Sequence, residues 1–187
     1  MNKTELRKKY LDIRRSIPHK KEKSLIIKDK LLSILSNCQV IGVYASMEDE
    51  VSTDELILEL LDLNKVVVLP KIEEDHINFY QITSLDELKP QGRYLIREPI
   101  GQKAPKEAIG AIIVPGICFD MKKNRLGFGK AYYDKYLSKR DIYKIGICFD
   151  EQIIEEMPTE EWDIKMDIVI SDKRIIYQYC FLFHNLF

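Results

Sequence analysis

Residues 40–69 read VIGVYASMEDEVSTDELILELLDLNKVVVL, and this stretch decides the fold class. Two short and almost wholly apolar runs, Val40–Tyr44 and Val66–Leu69, have the composition of strands that are buried on both faces. Between them, apolar residues recur at helical spacing: Leu56, Ile57, Leu60 and Leu61. The stretch therefore predicts a buried strand, a helix capped by Ser52 with Glu55 three residues later, and a second buried strand ended by Pro70.

The chain upstream of residue 40 predicts two helices. One apolar face of the first helix is formed by residues spaced 4, 3 and 4 apart, namely Leu6, Tyr10, Ile13 and Ile17. Pro18 is expected to begin the second helix, because proline is favoured in the first helical turn. This second helix offers four leucines to the core: Leu25, Leu31, Leu32 and Leu35. Residues 1–37 therefore form an N-terminal helical segment.

Downstream of residue 70 the chain continues to alternate between strands and helices. A helix is expected at Ala131–Arg140, and strands are expected at Ile77–Ile82, Ala111–Val114, Tyr143–Phe149, Ile168–Ile170 and Ile175–Tyr177. The first of these strands alternates less cleanly and should be more exposed. Such a pattern predicts an α/β fold of three layers, a mostly parallel sheet with helices on both faces. We expect one domain over residues 1–187, in which the apolar tail, residues 178–187, packs as a terminal strand or covers a sheet edge.

Composition limits the classes of protein to which the chain can belong. The 187 residues are 45% hydrophobic and 32% charged with a net charge of −1, which is typical of a soluble globular domain and argues against a polyanionic partner. Four widely spaced cysteines argue against a zinc site or a disulfide framework and suit reduced thiols in a cytoplasm. Because the chain is charged from its start, no signal peptide is expected. Because no apolar run approaches about 20 residues, no membrane span is expected either.

The strongest functional signal is the cationic loop, residues 124–134, which read NRLGFGKAYYD. Its two glycines let the backbone approach an anion closely, and Arg125 and Lys130 add two cations. Asp134 could bind the metal that accompanies a nucleotide. Because the loop leads from an apolar strand to a predicted helix, whose first N–H groups favour an anion, it predicts a phosphate or nucleotide site.

The cationic loop fits neither standard phosphate motif, so the pattern alone leaves two interpretations open. A Walker A loop would need serine or threonine where Ala131 stands, and a dinucleotide fingerprint would need a third glycine where Tyr132 stands. The alternative to phosphate binding is a tight turn whose aromatic residues pack in the core while Arg125 and Lys130 are solvated.

Lys3, Arg7 and Arg14 lie on roughly one face of the first predicted helix, beside its apolar stripe. The simplest interpretation is a solvated basic face. The alternative is a site for a polyphosphate ligand, which needs fewer cations than a nucleic-acid duplex and uses them in one place. No recognised nucleic-acid motif accompanies these cations, so nucleic acid is not expected.

Two groups of acids border predicted strands. Glu50 lies before the capped helix, so the helix dipole explains it less well than it explains Asp54 and Glu55. Its carboxylate could accept hydrogen bonds from the paired N–H groups of a guanidine-like ring edge. Asp163 and Asp167 are either solvated loop acids or ligands of a metal whose remaining ligands come from phosphate.

Four segments of functional interest follow predicted strand ends: residues 45–50, 70–71 and 115–134, and Asp150. In α/β sheets, ligands bind beyond the carboxyl ends of the parallel strands. The sequence therefore predicts a single site at that edge of the sheet.

Taken together, these segments resemble the 5-formyltetrahydrofolate cyclo-ligase family over nearly the whole chain. The motif of highest specificity is Arg125-Leu126-Gly127-x-Gly129 followed by Tyr132-Tyr133-Asp134. The other segments that carry the resemblance are Lys3-x-x-x-Arg7, Tyr44 to Thr53, Leu69-Pro70, Glu98-Pro99, Val114-Pro115-Gly116 with Phe119-Asp120, Glu156-Met157-Pro158 and Asp163. The resemblance implies an enzyme that acts on a reduced folate.

The reaction that the resemblance implies depends on ATP and Mg²⁺ and takes place in the cytoplasm. 5-Formyltetrahydrofolate becomes 5,10-methenyltetrahydrofolate, with release of ADP and phosphate. The formyl oxygen first takes the γ-phosphoryl group, which gives an iminium phosphate, and N10 of the folate then displaces phosphate. The implied partner is this small-molecule substrate, without nucleic acid or membrane, and the implied assembly is a monomer or a weak homodimer.

The resemblance also implies roles for individual positions. Lys3 and Arg7 would contact ATP, and the cationic loop would cradle its phosphates with Arg125, Leu126, Gly127, Phe128, Gly129, Lys130, Ala131, Tyr132 and Tyr133. Lys130 and Arg125 would be the catalytic cations, with Lys130 near the γ-phosphate. Asp134 and Asp163 would bind Mg²⁺, and the folate would contact Ala45, Glu50, Phe128 and Tyr132.

Two positions depart from the family pattern. Many members have glycine where Ala131 stands, and Phe128 occupies a variable position. The rival interpretations are another ATP-dependent enzyme of the same fold and a non-catalytic nucleotide- or folate-binding regulator. The regulator is disfavoured because the cationic loop occurs together with both candidate metal ligands. The choice between Asp163 and Asp167 as a metal ligand stays open, as does the preference for folate polyglutamates.

Overall fold

The computed structural model describes residues 1–91, 96–104, 109–138 and 140–177. The α-helices of these segments are α1 (Lys3–Ser16), α2 (Lys20–Ile34), α3 (Asp54–Asp62) and α4 (Tyr132–Leu137). The strands are β1 (Val40–Gly42), β2 (Val66–Glu73), β3 (His76–Ile82), β4 (Leu88–Gln91), β5 (Ile96–Pro99), β6 (Ala111–Pro115), β7 (Cys118–Asp120), β8 (Arg125–Leu126), β9 (Tyr143–Ile147), β10 (Ile153–Ile154), β11 (Ile168–Ile170) and β12 (Ile175–Tyr177). The predicted apolar tail, residues 178–187, lies outside the described residues. None of the described helices has both the length and the apolar character that crossing a membrane requires.

Seven strands form the main sheet, in the order β12-β11-β9-β6-β1-β2-β3. The five central strands, from β11 to β2, are parallel, and the edge strands β12 and β3 are antiparallel to their neighbours. This confirms the predicted α/β class with a mostly parallel sheet. The stretch at residues 40–69 is its β1–α3–β2 unit, in which Ile41 pairs with Val67.

Alternate residues of the central strands point to opposite faces of the sheet and build two hydrophobic clusters. On one face, Ile113 belongs to the same cluster as residues of α2 and α3, such as Leu31 and Ile57. On the other face, Ile112 and Val114 share a cluster with residues of α4. Helices therefore cover both faces, as the three-layer prediction requires.

A third hydrophobic cluster joins α1 to a small sheet, ordered β10-β7-β8, that the sequence pattern does not predict. The cluster consists of Leu6, Tyr10, Ile117, Cys118, Leu126 and Met157. Strands of two or three residues are too short to show a hydrophobic period, which is why the pattern misses them. The consequence is that β8, which contains the start of the cationic loop, packs against α1.

The predicted cap of α3 is wrong. The N-cap residue of this helix is Thr53 and not Ser52, and its side chain makes no capping hydrogen bond. The Thr53 hydroxyl instead donates to the carbonyl oxygen of Tyr44 at 2.7 Å. A tertiary contact therefore takes the hydroxyl that local sequence assigns to a helix terminus.

The start of α2 and the exposure of some apolar residues also differ from prediction. Pro18 lies before α2, because His19 adopts a left-handed conformation with φ of 56° and the helix begins after it. Of the leucines assigned to the second helix, Leu31 and the C-cap residue Leu35 are buried, whereas Leu25 is 37% exposed. The edge strand β3 is less exposed than predicted, since four of its residues are buried: Ile77, Asn78, Phe79 and Ile82.

β2 continues through Pro70, where the sequence pattern predicts its end. The carbonyl oxygen of Val68 accepts from the N–H of Val43 at 2.9 Å, just beyond the last residue of β1, Gly42. Because alternate residues direct their backbone groups to the same side of a strand, the missing N–H of Pro70 faces the side where β1 no longer pairs. On its other side β2 pairs with β3, where Phe79 lies opposite Pro70. The proline therefore breaks no hydrogen bond of the sheet.

Candidate active site

The carboxyl ends of β1, β6 and β9 border a narrow, tightly lined space, which we name the strand-end crevice. It is lined by Arg14, Tyr44, Glu50, Val51, Pro115, Gly116, Ile147 and Gln152. The segments that follow β1 and β6 therefore meet beyond the carboxyl ends of parallel strands. The other two predicted segments make contacts of their own: Lys71 lies 5.5 Å from the ring centroid of Tyr80, and Asp150 pairs with Arg174 at 2.7 Å.

Asp120 holds the hairpin from which the cationic loop leaves. Its carboxylate is fully buried and accepts from the backbone N–H groups of Lys122 (2.9 Å), Asn124 (2.8 Å) and Met157 (3.2 Å). The side-chain amide of Asn124 donates a further hydrogen bond at 2.8 Å. These donors use both oxygens, so Asp120 positions the loop and is not available to a ligand.

We expect Asp120→Asn to lower the free energy of unfolding by about 3 kcal/mol, because an amide places its own donors against donors of the hairpin. In a domain of this size the loss lowers the melting temperature by about 10 °C, which calorimetry measures. The matched control is Glu156→Gln, which removes an exposed pair with Lys122 (2.6 Å) and should cost less than about 0.5 kcal/mol. Equal melting temperatures for Asp120→Asn and the wild type would show that Asp120 is no anchor.

The backbone of the cationic loop needs its glycines for different reasons. At Gly127, a Cβ atom would lie 2.6 Å from a guanidinium nitrogen of Arg125. Gly129 has φ of 94°, a left-handed conformation that favours glycine. Ala131 is also left-handed, with φ of 54°, so the loop keeps a glycine-like path there at the cost of local strain. Arg7 ties the loop to α1, because its Nε donates to the carbonyl oxygen of Gly127 at 2.9 Å.

The helix after the loop is shorter than predicted. α4 has six residues and ends at Leu137, whereas the pattern predicts Ala131–Arg140, of which residue 139 lies outside the described part. So short a helix has a small dipole, and an anion at the loop would depend mainly on loop N–H groups and side-chain cations. Lys130 is one such cation: it is exposed, and its ammonium group has no partner within the segments that the structure describes.

Two ion pairs join the cationic loop, α1 and the segment before β11. Arg125 donates to Oδ2 of Asp134 at 2.7 Å, and Oδ1 of Asp134 accepts from the N–H of Ile164 at 3.2 Å. Lys3 donates to Oδ2 of Asp163 at 2.6 Å. Because Ile164 follows Asp163 directly, the two predicted metal ligands lie close together.

Asp167 lies elsewhere. Its carboxylate accepts from the backbone N–H of Lys144 at 2.7 Å and pairs with the ammonium group of the same residue at 2.8 Å, at the amino end of β9. Of the two aspartates between which the sequence leaves the choice open, Asp163 is therefore the one beside Asp134.

The donor set of this region suits a particular kind of metal. Among the described residues, no three His, Cys, Asp or Glu side chains come together to hold an ion. Both oxygens of Asp134 are engaged, whereas Oδ1 of Asp163 has no hydrogen-bond partner in the described segments. The residues fit a hard cation such as Mg²⁺, which takes one or two carboxylates from a protein and its other ligands from phosphate and water.

Glu50 is buried at the strand-end crevice, with 8% of its surface exposed. Its Oε2 accepts from the N–H of Met47 at 3.0 Å, and its Oε1 lies 3.5 Å from Nη1 of Arg14. Burial raises the pKa of the Glu50 carboxyl above its usual range, and the Met47 N–H and Arg14 act against this rise. The Arg14 guanidinium also lies 5.6 Å from the ring centroid of Phe128, which is exposed. Arg14 thus joins two predicted site residues.

The remaining predicted site residues lie partly in the core. Leu126 packs in the cluster shared with α1, and Ala45 is buried in the cluster beneath α2 and α3. Tyr132 and Tyr133 pack against the cluster beneath α4, and the buried Tyr133 hydroxyl has no hydrogen-bond partner among the described residues. Tyr132 and Tyr133 therefore pack as the tight-turn interpretation predicts, but Phe128 is exposed, and Arg125 is not solvated, since its side chain is 6% exposed.

Sequence reasoning assigned Arg14 to a basic face of α1 and not to the crevice, and it missed Gln152. Arg14 is not part of a solvated basic face: it is buried on the face of α1 that also buries Leu6 and Tyr10. The signal was its spacing, because a residue four positions after Tyr10 continues the apolar stripe. Gln152 closes the crevice by donating to the carbonyl oxygen of Gly116 at 3.3 Å, and no local pattern marks it.

The sequence matches the model of the 5-formyltetrahydrofolate cyclo-ligase family over residues 1–172. The 5-formyltetrahydrofolate cyclo-ligase of Mus musculus is 31% identical over 166 residues, which cover 80% of this chain and 82% of that protein. The 5-formyltetrahydrofolate cyclo-ligase of Haemophilus influenzae is 29% identical, and the match covers 90% of this chain and 95% of the relative.

Solved structures show the same likeness. The NMR structure of Aquifex aeolicus 5,10-methenyltetrahydrofolate synthetase has a TM-score of 0.83 and 31% identity, and the match covers 98% of this chain and 100% of that chain. The 5,10-methenyltetrahydrofolate synthetase from Mycoplasma pneumoniae has a TM-score of 0.76 and 27% identity, with 92% and 99% covered. The likeness therefore extends over the segments of the site as well as the sheet.

Proposed function

The chain belongs to the 5-formyltetrahydrofolate cyclo-ligase family, and we propose that its site closes 5-formyltetrahydrofolate to 5,10-methenyltetrahydrofolate in a reaction driven by ATP. The observation that carries the proposal is the meeting of two unlike subsites. One is a buried carboxylate, Glu50, in the strand-end crevice, and the other is the cationic loop, which α1 ties to the same wall. A reaction between a pterin and a polyphosphate needs both.

The strand-end crevice is the pterin subsite of the proposal. Glu50 presents carboxylate oxygens in a buried place, where hydrogen bonds to a charged acceptor are strong. The exposed ring of Phe128 stands near the guanidinium that faces Glu50, so it can cover one face of a bound ring. Ala45 and Tyr132 complete the folate contacts that we assign.

The nucleotide subsite combines α1 with the cationic loop. Lys3 and Arg7 come from α1, and Arg125 and Lys130 come from the loop, so four cations from two elements serve one polyphosphate. The backbone from Arg125 to Tyr133 supplies N–H groups near its two glycines. The hydrogen bond from Arg7 to the loop supports this assignment, because it makes α1 and the loop a single wall.

Asp134 and Asp163 would hold Mg²⁺, which neutralises phosphate charge when it is bound. Each of these carboxylates is paired with a cation that we assign to ATP, namely Arg125 and Lys3. The four groups can therefore pair with one another, or the carboxylates can pair with magnesium and the two cations with phosphate.

The chemistry follows from the poor leaving ability of an amide oxygen. Transfer of the γ-phosphoryl group to the formyl oxygen turns that oxygen into part of a good leaving group. N10 then bonds to the formyl carbon and gives up its proton, while the carbon–oxygen bond breaks and phosphate departs with the electron pair of that bond. The protein orients the two substrates and stabilises the charge of the transferring group, which is the role of Lys130 and Arg125.

Purified protein mixed with 5-formyltetrahydrofolate, ATP and MgCl₂ tests the proposal directly, since the absorbance of the methenyl product can be followed. Product that forms only with ATP, and one ADP per methenyl group, is the expected result. Reactions without ATP or with excess EDTA are the controls. If both ligands bind and no product forms, the protein is the non-catalytic nucleotide- or folate-binding regulator instead.

Trp162, the one tryptophan of the chain, should report Mg-ATP binding through its fluorescence. It is 64% exposed and belongs to the turn that Lys3 holds through Glu160 (2.9 Å) and Asp163 (2.6 Å). A nucleotide that takes Lys3 from this turn changes the surroundings of the indole. We expect Lys3→Ala to weaken Mg-ATP binding by about tenfold or more, and the exposed control Lys8→Ala to leave it unchanged. Equal affinities for the two variants would remove Lys3 from the nucleotide subsite.

We also propose that the enzyme works in the cytoplasm as a monomer or weak homodimer. The described cysteines, Cys38, Cys118 and Cys148, are free, which supports a reducing compartment. Light scattering over a range of protein concentrations measures the assembly.

A further inference from the structure

Arg14 carries a charge into the hydrophobic side of α1. Its side chain is 4% exposed and lies on the face that Leu6 and Tyr10 use for packing. A buried guanidinium costs free energy unless hydrogen bonds satisfy its donors. Packing alone therefore does not explain an arginine at this position.

The hydrogen bonds of Arg14 are incomplete. Among the described residues, its one hydrogen bond is the contact of 3.5 Å from Nη1 to Oε1 of Glu50, at the long limit for such a bond. Its Nε is buried and has no partner in the described part of the chain. Because the side chain lines the strand-end crevice, these unused donors lie at the place assigned to the pterin.

The hydrogen bonds of the Glu50 carboxylate are incomplete as well. Its Oε2 has the Met47 N–H, but its Oε1 has Arg14 at long range. The other titratable groups that act on it are Asp49 on its own loop, Tyr44 after β1 and Tyr133 on α4. The Tyr44 hydroxyl is already engaged, since it donates to the carbonyl oxygen of residue 51 at 3.1 Å. Arg14 is therefore the cation that faces this carboxylate.

The pyrimidinone edge of a pterin presents an amino group, a ring N–H and a carbonyl oxygen in a row. A carboxylate can accept from the first two, and a guanidinium beside it can donate to the third. We propose that Arg14 is a pterin-binding residue, whose guanidinium donates to the ring carbonyl oxygen next to the N–H pair that Glu50 accepts. The inference rests on the proposed function, and it assigns to Arg14 the discrimination between a ring carbonyl and an amino group at that position of the pterin.

Arg14 has a second task, which is to position other groups of the subsite. Its guanidinium lies between Glu50 and Phe128, 3.5 Å from the carboxylate and 5.6 Å from the ring centroid. A cation at this distance attracts the face of an aromatic ring. Arg14 thus links Glu50, which recognises the pterin edge, with the ring of Phe128, which covers the crevice. Its guanidinium also disfavours a pterin in which a hydrogen-bond donor replaces the ring carbonyl.

The test compares two ligands in three proteins by calorimetry. The ligands are 5-formyltetrahydrofolate and its 4-amino-4-deoxy analogue, in which an amino group replaces the ring carbonyl, and the proteins are the wild type, Arg14→Gln and Arg14→Lys. In Arg14→Gln the ratio of the two Kd values should move toward the amino analogue by about tenfold or more, because the wild-type preference depends on a buried donor. Arg14→Lys keeps the charge and loses the planar fork, so it should shift the ratio in the same direction by less.

Mg-ATP affinity separates recognition from folding. It should stay within about twofold of the wild type in both variants, because the residues assigned to ATP do not include Arg14. The matched control is Arg15→Gln, since Arg15 is 64% exposed and pairs with Asp12 at 3.0 Å. An unchanged Kd ratio in Arg14→Gln, or an equal loss of affinity for Mg-ATP and both folates, would make Arg14 a structural ion-pair residue and overturn the inference. Failure of the proposed function looks different, because the wild type then forms no methenyl product at all.

Discussion

Lys130→Ala is expected to lower kcat by a factor of about 10²–10³ while the KM for ATP changes much less. Lys130 is exposed in the cationic loop, between the left-handed residues Gly129 and Ala131, and no group of the described residues engages its ammonium. A cation that is free to meet the transferring phosphoryl group stabilises charge that develops in the transition state more than in the bound substrate. Steady-state rates of methenyl formation, with ATP varied, measure the effect.

Two further variants show whether the effect belongs to this lysine. Lys135→Ala removes an exposed lysine of α4 in the next turn of the chain and should keep near-normal turnover. Lys130→Arg keeps the charge with a different shape and should restore part of the rate. A Lys130→Ala enzyme that turns over as fast as Lys135→Ala would show that the role is assigned to the wrong residue.

Glu50→Gln is expected to raise the Kd for 5-formyltetrahydrofolate by about 10²-fold and to leave the Kd for Mg-ATP unchanged. In the pterin subsite that we propose, the carboxylate accepts from both N–H groups of the pterin edge, whereas an amide offers one acceptor and turns a donor toward the other N–H. Hydrogen bonds to a charged acceptor contribute about 1.5–3 kcal/mol each, so the loss of one of them and a new clash of donors account for this factor. Calorimetry with each ligand alone measures both constants.

The pH dependence of folate binding gives the same residue a second signature. Burial raises the pKa of Glu50 above the ordinary value of 4.5, so its carboxylate is lost at a higher pH than that of an exposed glutamate. The folate affinity of the wild type should therefore have its full value above this raised pKa and should fall as the pH is lowered through it. Asp49→Asn should keep a pH-dependent profile that moves to lower pH, because the charge of Asp49 contributes to the raised pKa of Glu50, and Glu50→Gln should lose the profile. The same profile in the wild type and Glu50→Gln would exclude Glu50 as its origin.

How far the fold could be predicted depended on the length of each segment. Val66–Leu69 and Ala111–Val114 are apolar enough to be recognised as buried strands wherever they lie. The strands β7, β8 and β10 have two or three residues, which carry no recognisable period, and they form through pairing with one another. Pro70 was misjudged because its effect depends on which side of β2 still has a partner, and that is a property of the sheet order.

The site residues that could be predicted are likewise those that lie close together in the sequence. Arg125, Lys130 and Asp134 could be predicted as a group, because they lie within one short loop. The contact between Arg14 and Glu50 joins residues that are 36 positions apart, and it exists because α1 packs over the strand ends. A charged residue in a helical pattern is normally solvated, so its burial could not be read from its own neighbours.

The sequence by itself determined the α/β class, the alternation of strands and helices along the chain, and the chemistry of the cationic loop. These features follow from hydrophobic periodicity and loop composition, which are local properties. Only the tertiary structure decided which charges are buried and which acids are neighbours. It placed Asp163 beside Asp134 and Asp167 at the far end of β9, and it turned Arg14 from a surface cation into the partner of Glu50. These outcomes depend on contacts between distant segments and on the desolvation that such contacts impose on charge.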